Sequence, residues 1–158
     1  MSSASDTLPT RPFPGTGELA PLLPPPSEQS KPFFDALRDG RLALQRCAGC
    51  SRVRGIVAPV CPYCGGESFS FEAMSGVGTV HSWIRYHRSY LPAFEALMPY
   101  VVVCVALDEG ARIFGRLVEG EAGASPDPYP GMPVGLVLER WADGAVTHAF
   151  GRRRETGP

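Results

Sequence analysis

Residues 47–64 read CAGCSRVRGIVAPVCPYC and hold two pairs of cysteines, each with two residues between its members. In such a turn both sulfurs can approach one ion while backbone N–H groups point at them. We expect Gly49, Gly65 and Gly66 to relieve strain where the turns need positive φ. The spacing predicts a zinc ribbon whose metal ligands are Cys47, Cys50, Cys61 and Cys64.

The four-thiolate set predicts a structural ion. Soft sulfur ligands in a tetrahedral arrangement favour Zn²⁺, with iron as the competitor, and four of them leave no open position for water or substrate. Residues 42–73 have few large apolar side chains, so we expect the ion to supply much of this region's folding energy. Cys104 lies in the apolar run VVVCVAL, where a buried thiol is expected to be a small core residue.

The segments on either side of the cysteines predict a short helix and two strands. Ser30 as N-cap, Pro32 in the first turn and Gly40 as the stop indicate a helix over residues 31–39. The sequences LALQRC (42–47) and SFSFEAM (68–74) are typical of strands. We therefore take residues 30–74 as one unit, a helix followed by a rubredoxin-like zinc ribbon.

Residues 75–151 contain five β-like runs, GVGTVHSWIRYHR, PYVVVCVALDEG, ARIFGRLVEG, MPVGLVLERW and GAVTHAFGR. The Asp108-Glu109-Gly110 segment between two apolar runs predicts a tight hairpin. Five strands with a longer connection after the third, residues 119–131, favour a five-stranded OB-fold barrel, although an SH3-like barrel also fits the pattern. The predicted fold class is mainly β, with residues 152–158 as a solvated tail.

The first 32 residues include eight prolines, a density that is unfavourable for regular strands and for a core. We interpret residues 1–29 as a disordered or partner-binding arm, in which Phe13 and Leu22-Leu23 would contact the partner. The N-terminus has no secretory signal pattern, and no apolar run approaches the roughly 18 residues that cross a bilayer. The expected location is the cytoplasm, where cysteines stay reduced.

Charge argues against nucleic acid as a partner. The chain has 15 Lys and Arg against 16 Asp and Glu, so its formal net charge is −1. Binding to a phosphate backbone depends on counterion release by clustered cations, which this composition does not provide. A nucleic-acid-binding module and a rubredoxin-like electron carrier remain the alternative hypotheses.

No paired carboxylates, phosphate-binding glycine loop or nucleophile motif occurs in the sequence, so we assign no catalytic residue. The insertion HRSYLPAFEALMP (87–99), between the first two predicted barrel strands, combines aromatic and arginine residues typical of binding loops. The candidate residues for binding a substrate or a partner are Arg85, His87, Arg88, Tyr90, Phe94 and Arg116.

Taken together, SKPFFDALRDGRLALQRCAGC, CPYCGG, GVGTVHSWIRYHR and the runs after them resemble the zinc-ribbon plus OB-fold proteins, long catalogued as a domain of unknown function and associated with acyl-CoA metabolism. The resemblance covers residues 30–150. It implies a hetero-oligomeric accessory subunit that docks on a thiolase-like protein and helps to form or channel an acyl-CoA site. The implied partners are thiolases, acyltransferases and steroid side-chain aldolases, which supply the reacting groups.

Overall fold

The structure, a computed structural model, describes residues 8–15, 25–55, 57–118 and 127–153. Helices and strands follow one another in the order β1 (Thr10–Pro12), α1 (Lys31–Arg38), β2 (Leu42–Cys47), β3 (Val53–Arg54), β4 (Phe69–Met74), β5 (Val77–Tyr86), α2 (Pro92–Glu95), β6 (Tyr100–Leu107), β7 (Arg112–Val118), β8 (Pro133–Arg140) and β9 (Val146–Arg152). The chain is therefore mainly β, as predicted.

Helix α1 starts and ends as the sequence indicates. Pro32 lies in its first turn, where a missing N–H costs nothing, and Gly40 ends the helical segment in the left-handed region at φ 81°. Leu37 is buried, while Phe33 and Phe34 pack against the same core from its edge. The helix thereby fixes the start of β2 against the barrel.

The zinc-ribbon part is a three-stranded antiparallel sheet in the order β3-β2-β4. Leu42 is paired with Met74 at one end of the sheet, and Cys47 with Phe69 at the other. Leu42, Leu44 and Met74 belong to the same hydrophobic core as the barrel residues. Apolar packing therefore stabilises the end of the ribbon sheet next to the barrel. We expect the metal ion to stabilise the cysteine turns at the other end.

Strands β5 to β9 form a closed sheet, because each pairs with two others in the cyclic order β5-β6-β7-β9-β8. The pairing of β7 with β9 is parallel, and the remaining pairings in the ring are antiparallel. This arrangement is a five-stranded Greek-key barrel, and it confirms the predicted OB-fold. The predicted hairpin is also present, with Gly110 N–H donating to the carbonyl of Leu107.

Strand β6 lies between β5 and β7, and its side chains contribute most to the barrel interior. Val101, Val103 and Val105 are fully buried, and Cys104 is a buried core residue as expected. On the opposite wall Val134, Leu136 and Phe150 complete the interior. Among the described residues, no helix is long and apolar enough to cross a membrane.

Residues 8–15 of the proline-rich arm differ from the expectation that such a chain forms no ladder. Strand β1 pairs in parallel with Leu138–Arg140 at the edge of β8. Its hydrogen bonds need no N–H from proline, because the carbonyl of Pro9 accepts from Leu138 and the N–H of Phe13 donates to Arg140. The Leu22-Leu23 pair, most of the 119–131 loop and residues 154–158 of the tail lie outside the described residues.

Gly78 of β5 lies so close to the backbone of β6 that a side chain there would clash. A Cβ on Gly78 would lie 2.3 Å from the backbone oxygen of Ala106, whereas one on Gly135 would meet only the flexible Arg153 side chain at 3.2 Å. We expect Gly78→Ala to lower the free energy of unfolding by about 1–3 kcal/mol because the strands must separate. Gly135→Ala is the matched control, with an expected change within about 0.5 kcal/mol. Equal losses in urea unfolding of the two variants would contradict this packing.

Candidate functional site: a four-cysteine metal centre and an aromatic cleft

The sulfur atoms of Cys47, Cys50, Cys61 and Cys64 all lie within 4.8 Å of one another. The Sγ atoms of Cys47 and Cys64 are 3.6 Å apart, and those of Cys50 and Cys61 are 3.7 Å apart. A zinc ion bound tetrahedrally at about 2.3 Å from each sulfur requires sulfur separations of about 3.8 Å. The donor set therefore has the type, number and spacing that a zinc ion needs.

The two cysteine turns have the same backbone construction. The N–H of Ser51 donates to Cys47 O, and the N–H of Gly65 donates to Cys61 O, both at 2.9 Å. The residue after the second cysteine of each turn is left-handed, with φ 60° at Ser51 and 74° at Gly65. The prediction that Gly49 supplies positive φ is wrong, since Ser51 fills that role in the first turn.

Gly49 and Gly66 lie beside the sulfur cluster. A Cβ on either glycine would lie 3.4–3.5 Å from the sulfur of Cys64, which is an ordinary van der Waals distance. Of the three predicted glycines, only Gly65 has positive φ.

The electrostatics of the cluster favour binding of a cation. The backbone N–H of Cys50 lowers the pKa of Cys47 to about 6, and that of Tyr63 lowers the pKa of Cys61. The N–H of Gly66 acts in the same direction on Cys64, but the thiols of Cys47 and Cys50 outweigh it and raise its pKa to about 11. Four crowded sulfurs therefore cannot all ionise unless a metal ion compensates their charge.

Arg54 is a buried cation in the sheet that carries Cys47. It is 5% exposed, its three guanidinium nitrogens have no hydrogen-bond partner, and its charge lies 5.1 Å from the centre of the Phe69 ring. Its register partner on β2 is Gln45, two residues before Cys47. The sequence alone did not predict a buried, unpaired cation at this position.

A second candidate site is a cleft of about 360 Å³ over strands β6 and β7. Its lining comes from the arm, the segment between β5 and β6, strands β6 to β9 and the β8–β9 connection; the lining includes Phe13, Phe94, Tyr100, Arg116, Glu139 and His148. Arg116 Nη2 donates to Glu139 Oε1 at 2.5 Å, and the side chains are 12% and 3% exposed. The cleft therefore has apolar walls and one buried ion pair.

Aromatic rings from distant parts of the chain form the walls. The Phe13 ring stacks on Trp141 with centroids 3.6 Å apart and an interplanar angle of 12°. Phe94 meets Phe13 edge-on at 5.5 Å and lies 5.6 Å from Tyr100. Trp141 is held in place because its indole N–H donates to Thr147 Oγ1 at 2.9 Å.

Two family descriptions match this chain, one over the zinc ribbon and one over the barrel. Residues 34–70 match the family described as "ChsH2, rubredoxin-like zinc ribbon domain", and residues 71–139 match "ChsH2, C-terminal OB-fold domain". The chain belongs to the ChsH2 zinc-ribbon and OB-fold family.

Relatives of this ChsH2-family chain fall into short and long proteins. A DUF35 domain-containing scaffold protein of Methanocaldococcus jannaschii is 33% identical over 66% of this chain and 75% of its own length. A probable enoyl-CoA hydratase alpha subunit of Thermomonospora curvata is 43% identical over 66% of this chain. The chain spans about a third of that relative, 31% of its length.

A solved structure described as "Ltp2-ChsH2(DUF35) aldolase" contains a chain of the same fold. The superposition has a TM-score of 0.70 at 35% sequence identity. It covers 82% of this chain and 98% of the other. Together with the four adjacent cysteines, membership of a zinc-ribbon family confirms structural zinc as the cofactor.

The predicted binding residues of this ChsH2-family chain separate into three groups. Phe94 and Arg116 come together in the cleft. Arg85 forms an ion pair with Asp127 at 2.5 Å. The remaining three, on the exposed loop after β5, are His87, Arg88 and Tyr90.

Glu139, Trp141 and the contribution of the arm to the cleft were not predicted from the sequence. These residues come from separate elements, and only the closed sheet and the β1–β8 pairing bring them near Arg116. A charged residue inside the apolar run MPVGLVLERW was the available signal for Glu139. A buried carboxylate in a strand needs a partner, which Arg116 provides.

His148 lines the cleft in its neutral form. Desolvation lowers its pKa, although the hydrogen bond with the carbonyl of Phe114 opposes the effect. Since a carbonyl only accepts, the N–H on Nε2 must donate to it, at 2.7 Å. The other ring nitrogen, Nδ1, is then a hydrogen-bond acceptor.

The metal centre yields a direct prediction. Cys47→Ser and Cys61→Ser should each reduce bound zinc from about one ion per chain and unfold the cysteine turns, because an incomplete ligand set binds zinc much more weakly. Cys104→Ser is the control, since Cys104 is buried in β6 away from the cluster. Zinc is measured by elemental analysis of the purified protein. Full zinc content in the two ligand variants would refute the assignment.

His148 predicts a pH dependence of stability. Since its folded pKa is lowered, the unfolded chain takes up the proton first as the pH falls below about 6.5. The free energy of unfolding should therefore fall by up to about 1.4 kcal/mol per pH unit between pH 6.5 and the folded pKa. His148→Gln retains a donor for Phe114 O and should remove this slope.

The control for this experiment is the exposed His81, as His81→Gln. This variant should keep the wild-type slope in chemical unfolding between pH 7.5 and 5. An unchanged slope in His148→Gln would show that His148 is not the group responsible.

Proposed function

We propose that this chain is a non-catalytic subunit that docks on a thiolase-like protein and helps to form or channel an acyl-CoA site there. The observation that carries the proposal is the likeness to a chain of the Ltp2-ChsH2 aldolase, which extends over 98% of that chain. A relative named as a hydratase alpha subunit also acts on a CoA thioester, according to its name. The partner in such an assembly supplies the nucleophile or base.

The chemistry of the described residues supports an accessory role. Four thiolates close the coordination sphere of the zinc ion, so it has no position for a substrate. In the cleft, Arg116 and Glu139 neutralise one another. Cys104 is buried inside β6 and is not a cleft residue. These groups can position a bound molecule, while bond making and breaking need groups from the partner.

The proposed docking surface is the tip of the β5–β6 hairpin, residues 83–91. It exposes Tyr90 by 82% and Ile84 by 54%, together with parts of Trp83 and Leu91. Large apolar side chains grouped in this way are typical of surfaces that a partner covers. Arg88, whose charge lies 5.5 Å from the centre of the Tyr90 ring, adds a cation for a carboxylate or a phosphate.

Coenzyme A would need arginine side chains at its phosphates. Arg116 is bound to Glu139 and Arg85 to Asp127, so Arg88 is the member of the predicted set best placed to meet a phosphate at the partner boundary. The formal net charge of −1 disfavours nucleic acid as the partner, since binding to a phosphate backbone depends on clustered cations.

Co-expression with a thiolase-like protein encoded beside this gene tests the proposal. We expect the two chains to co-elute in size-exclusion chromatography as a stable complex. Tyr90→Asp should abolish co-elution or weaken the affinity at least tenfold, because it places a charge at the centre of the apolar tip. The matched control is Tyr129→Asp, which changes an exposed tyrosine outside the hairpin tip.

Two results would contradict the proposal. One is persistent separation of the wild-type chains on the column. The other is turnover of an acyl thioester by this chain alone, which would show that it contains catalytic groups of its own.

A further inference from the structure

Two neighbouring buried side chains of the zinc ribbon carry hydrogen-bond donors without acceptors. Arg54 is 5% exposed and Gln45 is 1% exposed, and the two are register partners on β3 and β2. The three guanidinium nitrogens of Arg54 and Nε2 of Gln45 have no hydrogen-bond partner among the described residues. Side chains of register partners lie next to each other on one face of a sheet. Because buried polar groups are nearly always hydrogen-bonded, this group of donors indicates that an acceptor binds there.

The amide of Gln45 cannot be this acceptor. Its Oε1 accepts from the backbone N–H of Ala58 at 3.1 Å. Since a backbone N–H only donates, this bond fixes which end of the amide is the oxygen and leaves Nε2 as a donor. The unpaired atoms of Gln45 and Arg54 are therefore all N–H donors, and they cannot bond to each other.

The positive charge of Arg54 also lacks a carboxylate beside it. A guanidinium keeps its proton in proteins, so burial does not discharge it. Within strands β2, β3 and β4 the only carboxylate is that of Glu72, the register partner of Leu44. Successive residues of a strand point to opposite faces, so Glu72 is on the other side of the sheet from Gln45. The Phe69 ring, 5.1 Å from the guanidinium carbon, attracts the charge but offers no lone pair.

The surroundings of these donors select a small anion. Both side chains are buried, so a ligand with a carbon skeleton would have to separate the strands to reach them. The bond from Ala58 also holds the segment between the two cysteine pairs against Gln45. A spherical anion takes the least space and accepts N–H bonds from several directions at once. Hydrogen bonds between a charged donor and an anion are the strong ones, and buried charges are normally paired.

We propose that the zinc ribbon binds one chloride ion between Arg54 and Gln45. The ion neutralises the guanidinium and accepts from Nε2 of the amide, so it ties β3 to β2 and, through the Gln45–Ala58 bond, to the segment between the cysteine pairs. The ribbon then contains two ions of opposite charge, a cation at the four cysteines and an anion at this pair. The inference goes beyond the proposed function and does not depend on docking to a partner.

Urea unfolding of the full-length, zinc-loaded chain tests the proposal. Sodium chloride replaces sodium gluconate at constant ionic strength, so that screening stays the same, and every sample contains the same zinc concentration. A ligand that binds only the folded chain raises the ratio of folded to unfolded protein in proportion to its concentration above the dissociation constant. We expect a rise of about tenfold at fixed urea with chloride, and a similar rise with bromide. Broadening of the ³⁵Cl resonance reports the bound ion directly.

Variants locate the ion. Arg54→Met removes the charge but fills most of the space, and it should abolish both the chloride response and the ³⁵Cl broadening. Arg52→Met is the matched control, because Arg52 is an exposed arginine of the same segment, and it should keep both. Gln45→Glu places a carboxylate next to Arg54 that can still accept from Ala58. This variant should be as stable in gluconate as in chloride, since it carries its own anion.

Three results would overturn the proposal. A wild-type chain that responds equally to chloride and gluconate would show that water or the thiolates of the metal centre satisfy Arg54. An unchanged response in Arg54→Met would show an adventitious ion only. A change in zinc content between the two salts, measured by elemental analysis, would show that chloride acts through the metal centre. If Arg54→Met fails to fold, Gln45→Glu and the wild-type ³⁵Cl signal decide the question.

Discussion

The crowding of four sulfur atoms is the constraint on which the cysteine turns of the zinc ribbon depend. Cys47, Cys50, Cys61 and Cys64 lie within 4.8 Å of one another, and backbone N–H groups favour thiolates at two of them while the neighbouring thiols disfavour one at Cys64. A divalent ion resolves this conflict. The apolar core includes Leu42, Leu44, Val53 and Met74 of the ribbon but none of the four cysteines, so we expect the cysteine turns to need the ion for their shape.

The barrel packs against the zinc ribbon through a shared core. Its core runs continuously from Leu42 of the ribbon to Phe150 of the last strand, so the two sheets share one apolar interior. The arm adds a parallel strand at the edge of β8 and brings Phe13 against Trp141. The barrel core and the arm together position the exposed β5–β6 hairpin tip and the aromatic cleft.

The sequence predicted those features that residues close together in the chain determine. The CxxC spacing located the metal ligands, proline and glycine located the helix, and the alternation of apolar runs with turn residues located all five barrel strands. The cleft could not be predicted in this way, since Phe13, Arg116 and Glu139 meet only after the sheet closes. The prediction of positive φ at Gly49 was wrong because Ser51 is the left-handed residue of the first turn, and CxxC spacing does not determine which turn residue is left-handed.

Hydrogen exchange of the zinc-loaded and the metal-free chain tests the central claim most directly. Removal of the ion should abolish protection of the amides that close the two turns, at Ser51 and Gly65, while the amides of β6 and β8 remain protected by the barrel core. The metal-free chain should regain turn protection when zinc is added. Undiminished protection at Ser51 and Gly65 without metal would contradict the account.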